Sequence, residues 1–535
     1  MKNYSEFTHE ELKKLNKTSL IMIISSLQDQ VEHISKQLNL LTEQIALMNQ
    51  KAFGRKTESV SQFPNQMTLF GDLLPDETSS PDPVKEPEIT KITVSSYTRK
   101  EKTKREEKLE GLPARIIEHK LTDEELSEKF PNGYKELPCE IYKRLAFIPQ
   151  MLMVDEHHIH VYASKNNDGS IVKAKHPHDV FRNSIATPSL IAELASGKYF
   201  EHLPLERQIK RFRELGVNLG SNTLSNWMIN ASDQYYSILY DELHRYLLNG
   251  SLIHADETPF EITADGRSPG RSSYMWVYRN GACDSGHPVV IYDYQPTRRT
   301  DHPKEFLKDY NGILMTDGYQ VYHSLEKKRE GLQIAGCWVH AKRGFATLVK
   351  AVGSEKAEGV IAAEASRRIS NMFHLDKKWK DLSKEEREKH RQLVLKPKVD
   401  DFFAWAKDTV IKLPPESATA KGLQYCINQE KFLRVFLSNG DVPMDNNLAE
   451  RSIRPFTLGR KNWVNIFSEQ GAEASSVLYS IVETAKANNL RVYDYLEYTL
   501  DQLVNHSDDT DRNFLNDLLP WSDYVQEHFC CPKKS

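Results

Sequence analysis

The chain has 535 residues, and 71 Lys and Arg stand against 75 Asp and Glu, which gives a formal net charge of -4. This balance excludes a uniformly basic protein that coats nucleic acid, so any DNA contact must come from local clusters of cations. The length indicates roughly three or four domains. With 39% hydrophobic and 10% aromatic residues, the composition predicts folded cores and not general disorder.

Cysteine usage and the N-terminus indicate the compartment. The cysteines are too sparse for a disulfide framework and form no Cys-x-x-Cys pair; they are Cys139, Cys283, Cys337, Cys426, Cys530 and Cys531. The N-terminus carries charges of both signs and has no apolar run long enough for a signal peptide or a membrane span. We therefore expect a reduced cytoplasmic protein with no membrane partner.

Residues 1–56 predict a long helix with a heptad repeat. Apolar residues alternate at spacings of four and three, with no Pro or Gly between them; they are Leu20, Ile24, Leu27, Val31, Ile34, Leu38, Leu41, Ile45 and Met48. Because a single helix cannot bury such a seam, it needs a partner. We expect a homo-oligomer formed through residues 20–48, and the alternative is docking of the seam onto the body of the same chain.

Residues 57–111 are rich in Pro, Ser and acidic residues, which predicts a flexible linker. The linker ends in a basic arm that contains Arg99, Lys100, Lys104 and Arg105. This arm is either a solvated charged segment or an arm that contacts DNA phosphates and displaces their counterions.

Residues 112–185 predict a small mixed module, because their apolar and polar residues alternate as in strands. Its cluster of His157, His158 and His160 has two interpretations, a metal site or one polar face of a strand. The polar face is favoured, since no Cys or further His stands at ligand spacing.

Residues 186–248 predict helices, and the pair at 205–215 and from 223 onward is typical of a helix-turn-helix. The first helix of the pair is basic through Arg207, Lys210, Arg211 and Arg213. Both DNA binding and a plain helical packing unit are compatible with this pattern.

Residues 249–345 predict a mixed sheet covered by helices, because three strands in a row precede an alternation of strands and helices. The predicted strands are 252–255, 274–278, 289–294, 312–316 and 333–337, and the helices are 302–310 and 320–325. Asp256 and Asp317 each follow a strand, and Glu450 stands on a helix that is predicted to begin near Asp445. Most such aspartates only cap or form turns, but three converging carboxylates would require cations, and Mg²⁺ prefers these ligands.

Taken in order, these motifs resemble the transposases of the insertion sequence 66 family, which are ribonuclease H-like DDE enzymes. The matching strings include HADETPF (254–260), GCWVHAKRGF (336–345), DNNLAERSIRPFTLGRKNW (445–463) and YSIVETAKANNL (479–490). The resemblance implies cleavage at the ends of a mobile element and transfer of the 3′-OH into target DNA. It assigns Asp256, Asp317 and Glu450 as the catalytic carboxylates and ligands of Mg²⁺, with Mn²⁺ as a substitute, and it implies a nucleoid location and possible accessory proteins encoded by the element.

The resemblance also orders the rest of the chain as a multidomain α+β and α/β protein. The catalytic domain would comprise 249–345 and 441–490, split by a helical insertion at 346–440 and followed by a helical tail at 491–535. His340 becomes a candidate contact to the scissile phosphate, and the candidate phosphate-binding cations are Arg343, Arg451, Arg454, Arg460 and Lys461. Glu257 is set aside, because adjacent residues of a strand point to opposite faces.

One departure from the family pattern concerns zinc. Family members commonly carry paired cysteines in an N-terminal module, whereas this chain has only Cys139 there, so we do not expect zinc. Two other functions stay open at this point: a catalytically silent DNA-binding protein derived from a transposase, and a ribonuclease H-like nuclease without strand transfer.

Overall fold

The computed structural model shows a mixed α/β protein with a five-stranded mixed sheet and an N-terminal helix. It describes residues 17–18, 20–31, 34, 41, 45, 48, 151–163, 171–173, 178–267, 271–281, 286–353 and 360–532. The linker, most of the module at 112–185 with Cys139, and the basic arm lie outside the described residues; the arm residues are Arg99, Lys100, Lys104 and Arg105.

The N-terminal helix presents its heptad seam to solvent. All its described residues between 17 and 48 are helical. Seven of the seam residues are 45–68% exposed; they are Ile24, Leu27, Val31, Ile34, Leu41, Ile45 and Met48. The seam therefore does not dock onto the described part of the chain.

The histidine cluster does not lie on a strand. Residues 151–160 form neither helix nor strand, and the first short strand, β1 (Val161–Ala163), begins after the cluster. It pairs in antiparallel fashion with β2 (Ile171–Lys173). The prediction of a polar strand face at His158 and His160 is therefore wrong. Both residues are exposed, so no buried face stabilises an alternating strand there, and His158 lies 3.5 Å from Glu156.

Four helices precede the sheet, and their bounds fit the predicted helix-turn-helix. They are α1 (Pro188–Ala195), α2 (Leu205–Glu214), α3 (Ser221–Ala231) and α4 (Ser237–Leu248). Thr187 caps α1 by accepting a hydrogen bond from the Leu190 amide at 3.2 Å, and Pro188 suits its first turn. In α2, Ile209 and Phe212 are buried, which leaves the cations Arg207 and Lys210 exposed.

The sheet has the strand order β5-β4-β3-β6-β7. Its strands are β3 (Leu252–Phe260), β4 (Ser273–Asn280), β5 (Val290–Gln295), β6 (Gly312–Thr316) and β7 (Leu332–Gly336), and its connecting helices are α5 (Asp301–Phe306) and α6 (Gln320–Lys328). Strands β5, β4 and β3 pair in antiparallel fashion, whereas β6 and β7 are parallel to β3. This order of elements confirms the mixed sheet that the sequence predicts.

Three predicted bounds need correction, and one of them is the end of α6, which runs to Lys328 and not to residue 325. Strand β3 does not end at residue 255 but continues to Phe260, because its whole length pairs with β4 and both Thr258 and Phe260 are buried. Asp256 therefore lies within a strand, not after its end. Helix α5 is shorter than predicted and ends at Phe306, after which the chain turns into β6.

A helical insertion follows β7. Its helices are α7 (Trp338–Val352), α8 (Ile361–Lys377), α9 (Lys384–His390), α10 (Lys396–Val410), α11 (Ala418–Asn428) and α12 (Glu430–Leu433). All of these helices except α9, which buries none of its residues, contribute to one apolar core that includes Trp338, Phe345 and Phe402 and reaches Met315 in the sheet. Because α7 crosses the predicted boundary at 345, the insertion is continuous in packing with the sheet.

The chain then returns to the sheet with five helices. They are α13 (Asn447–Trp463), α14 (Glu469–Ala487), α15 (Val492–Asn505), α16 (Leu515–Leu518) and α17 (Asp523–Phe529). Helix α14 covers the β5 edge, where the Val290 amide donates to Thr484 Oγ1 at 3.0 Å and the Tyr292 amide donates to Ser480 Oγ at 2.8 Å. A covered edge cannot pair with another chain. Within the described residues, no helix is long and apolar enough to cross a membrane.

A fully buried arginine ties the insertion to the segment that leads into α13. Arg391 Nε donates to Asp376 at 2.7 Å, and its Nη1 donates to the carbonyl oxygens of Phe436, Asn439 and Val442, each at 2.8 Å. Burial alone would raise the pKa of Asp376, but the hydrogen bonds and charges of Arg391 and Arg387 together lower it. The pair is therefore ionised and fixes the approach to α13.

We expect Arg391→Ala to lower the free energy of unfolding by about 3–5 kcal/mol, because it leaves buried carbonyls and a buried carboxylate without their main partner. Urea denaturation followed by tryptophan fluorescence measures this loss. The control is Arg367→Ala, which removes an exposed partner of Glu364 and should cost about 0.5 kcal/mol or less. Equal losses in the two variants would contradict the clamp.

Candidate active site

The strand register brings Asp256 and Asp317 to the same level of the sheet. Residues Leu252 to His254 of β3 pair with Ile313 to Met315 of β6. Each aspartate stands two residues beyond the last pair, and residues two apart on a strand share a face. Burial raises the pKa of Asp256 well above its usual value, and the charges of Glu257, Asp317 and Glu450 raise it further. The three predicted carboxylates therefore act on one another.

Glu450 reaches this place from the first turn of α13. The helix packs against β3 and β4, and the Glu450 side chain is buried, with 7% of its surface exposed. Asp445 Oδ1 accepts a hydrogen bond from the Asn447 amide at 3.1 Å, which fixes the start of the helix as the sequence predicts. Burial raises the pKa of Glu450, and nearby Asp317 adds to that effect while Arg343 opposes it.

Asn446 connects the carboxylate-bearing elements, and the sequence analysis missed it. Its Nδ2 donates to the Ala255 carbonyl at 2.8 Å, and its Oδ1 lies 2.9 Å from His254 Nδ1. Its amide donates to Cys337 Sγ at 3.3 Å. Asn446 thus joins β3 beside Asp256, the chain after β7, and the start of α13. The sequence signal for Asn446 is its position immediately before Asn447, the first residue of the helix.

Two groups on α7 lie against the third carboxylate. Arg343 Nη2 donates to Glu450 Oε1 at 3.1 Å, and His340 Nδ1 lies 3.5 Å from the same oxygen. Burial lowers the pKa of His340 to about 4, and the charge of Arg343 contributes, so the imidazole is neutral at pH 7. Cys337 stands three residues before His340, its thiol is buried, and its sulfur accepts a hydrogen bond from the Asn446 backbone amide. Cys337 therefore packs in the core and is not a ligand beside His340.

Glu257 has partners of its own. Arg298 Nε donates to Glu257 Oε1 at 2.9 Å, Tyr322 donates its hydroxyl to Oε2 at 3.0 Å, and the Arg298 guanidinium lies 3.7 Å from the centre of the Tyr319 ring. Arg298 therefore offsets part of the charge of this carboxylate beside the site. Its charge still raises the pKa of Asp256.

The other predicted cations fall into two groups. On α13, Arg451, Arg454 and Lys461 are exposed, whereas Arg460 donates to the Pro259 carbonyl and is tied to β3. The cations of the predicted helix-turn-helix lie on α2 and are Arg207, Lys210 and Arg211. Arg211 Nη1 lies 3.5 Å from Glu193 Oε1 on α1. The structure thus brings together Asp256, Asp317, Glu450, His340 and Arg343.

These residues suit a divalent cation that is completed by water and phosphate. Over the described ranges, no three His, Cys, Asp or Glu side chains are close enough to form a cage for an ion. However, Glu450 Oε2 is buried without a hydrogen-bond partner, and the converging donors are carboxylate oxygens. Mg²⁺ usually keeps several waters and takes only one or two carboxylates together with substrate phosphates.

Comparison with known proteins gives matches along most of the chain. The model of the Transposase IS66 family matches residues 183–474, that of the IS66 C-terminal element matches 480–521, and that of the Transposase C of IS166 homeodomain matches 40–117. Similar proteins include the uncharacterized protein y4jD of Sinorhizobium fredii, 28% identical over 71% of this chain and 74% of its own length. The uncharacterized protein y4hP of the same organism is 30% identical over 62% of each chain. The match to the Transposase IS66 family covers residues 183–474, which is more than half of this chain. The chain therefore belongs to the IS66 family of transposases.

Proposed function

We propose that the protein is a DDE transposase that cleaves DNA at the ends of its element and joins the freed 3′-OH to target DNA. The observation that carries this proposal is the convergence of Asp256, Asp317 and Glu450 on a sheet of three antiparallel strands followed by two parallel ones. This is the strand order of the ribonuclease H-like fold that the sequence resemblance implies. Family membership supports the transposase role in general, and the carboxylates supply the chemistry.

In the proposed mechanism, Asp256, Asp317 and Glu450 hold Mg²⁺ or Mn²⁺. Bound divalent ions would lower the pKa of a water or hydroxyl and balance charge on the entering and leaving oxygens of an in-line displacement. Arg343, which pairs with Glu450 in this structure, is positioned to exchange that carboxylate for the scissile phosphate. Neutral His340 can donate or accept one hydrogen bond beside the same phosphate.

The helix-turn-helix would read the element ends. In α3, the residues Asn222, Thr223 and Asn226 are exposed on the first turns, while Leu224 and Trp227 are buried. The first turns of the second helix are the part that contacts base edges in this motif, and Asn pairs with adenine through two hydrogen bonds. The cations of α2 would then contact phosphates, as would the basic arm at 99–105.

Self-association through residues 20–48 fits this scheme. The exposed heptad seam offers a surface that a second copy can bury, and pairing of two chains would bring two element ends together. A protein with this activity would act at the nucleoid. The possible accessory proteins encoded by the same element would bind to the complex of the protein with the element ends.

Substitution of the three carboxylates tests their proposed role. Asp256→Asn, Asp317→Asn and Glu450→Gln should each lower cleavage of end-bearing DNA by more than the roughly 10- to 100-fold typical of an outer-shell residue. DNA binding should remain near wild type, because each change removes only one negative charge. Gel-based cleavage in Mg²⁺ and binding measured in its absence separate the two effects.

The control for this series is Asp309→Asn, an exposed carboxylate on the turn before β6, which should cleave as wild type does. Cleavage retained in all three site variants would overturn the assignment. A strand-transfer assay with pre-cleaved ends distinguishes a transposase from a nuclease, and a wild-type protein that binds but never cleaves would support the silent DNA-binding alternative.

Asn446→Ala should also reduce cleavage, by about 10- to 100-fold, since it removes the link between the β3 backbone and α13 while leaving every carboxylate in place. The comparison is with Asn447→Ala, one residue along. An Asn446→Ala protein with wild-type cleavage would show that the helix holds its position without this link.

Asn226→Ala should relax base preference at one position of the element end, with about 1–3 kcal/mol less discrimination there. Lys210→Ala should weaken binding to all sequences alike and reduce the salt dependence by about one phosphate contact. Competition binding with single-base variants of the element end measures both. A uniform loss in Asn226→Ala would contradict base reading by α3.

A further inference from the structure

An exposed apolar pair lies at the end of α13 and takes no part in the site described above. Val464 is 68% exposed and Phe467 is 73% exposed, and only two residues separate them along the chain. We call this pair the apolar tip. Exposed large apolar side chains that stand together indicate a contact surface more often than single ones do.

The backbone at Val464 is strained. Its φ is 63° and its ψ is -64°, and the Asn465 amide donates to the Trp463 carbonyl at 2.7 Å, which closes a three-residue γ-turn. This form of the γ-turn is rare even for flexible residues, and a β-branched residue at positive φ is an outlier. Such strain persists only where the surroundings impose it, and it is concentrated at functional positions.

The surroundings of the turn are rigid on both sides. Before the turn, Trp463 packs onto its own helix at Gly459, where any Cβ would collide with the Trp463 ring and the Tyr479 hydroxyl. After the turn, Ile466 bridges to Ile262. The Ala264 amide donates to the Phe467 carbonyl at 2.8 Å. The turn is therefore held between the helix and the continuation of β3, and it projects the tip into solvent.

The charge around the tip fits a polyanion. Between Glu450 and Glu469 the sequence contains four cations, Arg451, Arg454, Arg460 and Lys461, and no carboxylate. On the segment that packs against the turn, Glu261 is exposed and Asp265 pairs with Arg267. Lys198 Nζ lies 5.8 Å from the centre of the Trp463 ring, which adds a fifth cation at the base of the tip. A protein partner with an apolar pocket would gain little from this charge, whereas nucleic acid offers phosphates beside apolar base faces.

The distance to the carboxylates fits the same DNA molecule. Asp256 and Ile262 are six residues apart on extended chain, which spans at most about 20 Å at roughly 3.3 Å per residue. That upper limit corresponds to no more than about six steps of 3.4 Å along a DNA strand. A strand whose phosphate lies at the carboxylates can therefore pass the tip.

From these observations we infer that the tip binds unstacked bases of the DNA that the site acts on, with Phe467 stacking on a base face and Val464 filling the opened step. The inference rests on the proposed function, since it requires that the chain bind DNA at this surface. Apolar side chains open base steps in this way in other DNA-binding proteins, and stacking on an aromatic ring tolerates any base.

The test uses the full chain and two short duplexes that differ only in an internal bubble of unpaired bases. Wild-type protein should bind the bubbled duplex more tightly, because it need not open the step itself. Phe467→Ala should weaken binding to the bubbled duplex by roughly five- to hundredfold, the range for loss of one stacked base, and should change binding to the paired duplex much less. Phe467→Trp should keep the preference.

Further variants exclude indirect effects. Val464→Gly keeps the turn, because glycine adopts positive φ freely, but it removes half of the tip and should reduce the same preference. The matched control is Ile411→Ala, an equally exposed apolar residue of the insertion, which should behave as wild type. Phe467→Ala should leave the salt dependence unchanged, since it removes no phosphate contact.

Each other outcome overturns the inference. If Phe467→Ala binds both duplexes as wild type does, or weakens both equally, the tip does not contact unstacked bases, while the proposed function stands. If the wild-type protein binds neither these duplexes nor the element ends, the proposed function fails, and the inference fails with it.

Discussion

The site depends on a join between two parts of the chain that are far apart in sequence. Asp256 lies on a central strand and Glu450 on a helix nearly two hundred residues later, and no covalent feature holds them together. Asn446 provides the join, because its side chain contacts the Ala255 carbonyl on one side and its backbone begins α13 on the other. Because the buried side-chain amide of Asn446 can form these hydrogen bonds in few other positions, it fixes the position of Glu450.

Charge is the second constraint. Three carboxylates in one buried region repel one another, and burial adds to that cost, as the raised pKa values of Asp256 and Glu450 indicate. The chain offsets part of this cost with Arg343 beside Glu450 and with Arg298 beside Glu257. Both arginines keep part of their side chains exposed. In the proposed mechanism, each would shift toward a phosphate when metal ions bind the carboxylates. In that mechanism, the arginines that offset the carboxylate charge would later bind the substrate phosphate.

Much of this could be predicted from the sequence, because local patterns determine the strands and helices that carry the site. The succession of strands and helices along the chain, the start of α13 and the pair of helices α2 and α3 follow from turn residues, apolar periodicity and helix caps. Where the prediction failed, tertiary contacts decided. Strand β3 runs past Asp256 because β4 pairs with it, and the polar histidines near residue 158 have no buried face to form a strand against. Asn446 and Arg391 could not be found, since their partners are backbone carbonyls and side chains of other elements, which no local sequence pattern marks.

The contacts of Arg391 give the helical insertion a structural role. A helix that must carry Glu450 to the sheet needs its approach fixed as well as its first turn, and the approach runs through residues 436–446. Arg391 binds three carbonyls of that segment from inside the insertion. The backbone amide of Trp338, the first residue of α7, donates to the Met444 carbonyl, and the distance between the two atoms is 2.8 Å. The insertion therefore works as a scaffold for the third carboxylate. At its other end, α13 runs into the strained turn at Val464, so one helix links the fixed carboxylate to the projecting tip. Under the proposed function, this helix would set the spacing between the carboxylates and any DNA contact at the tip.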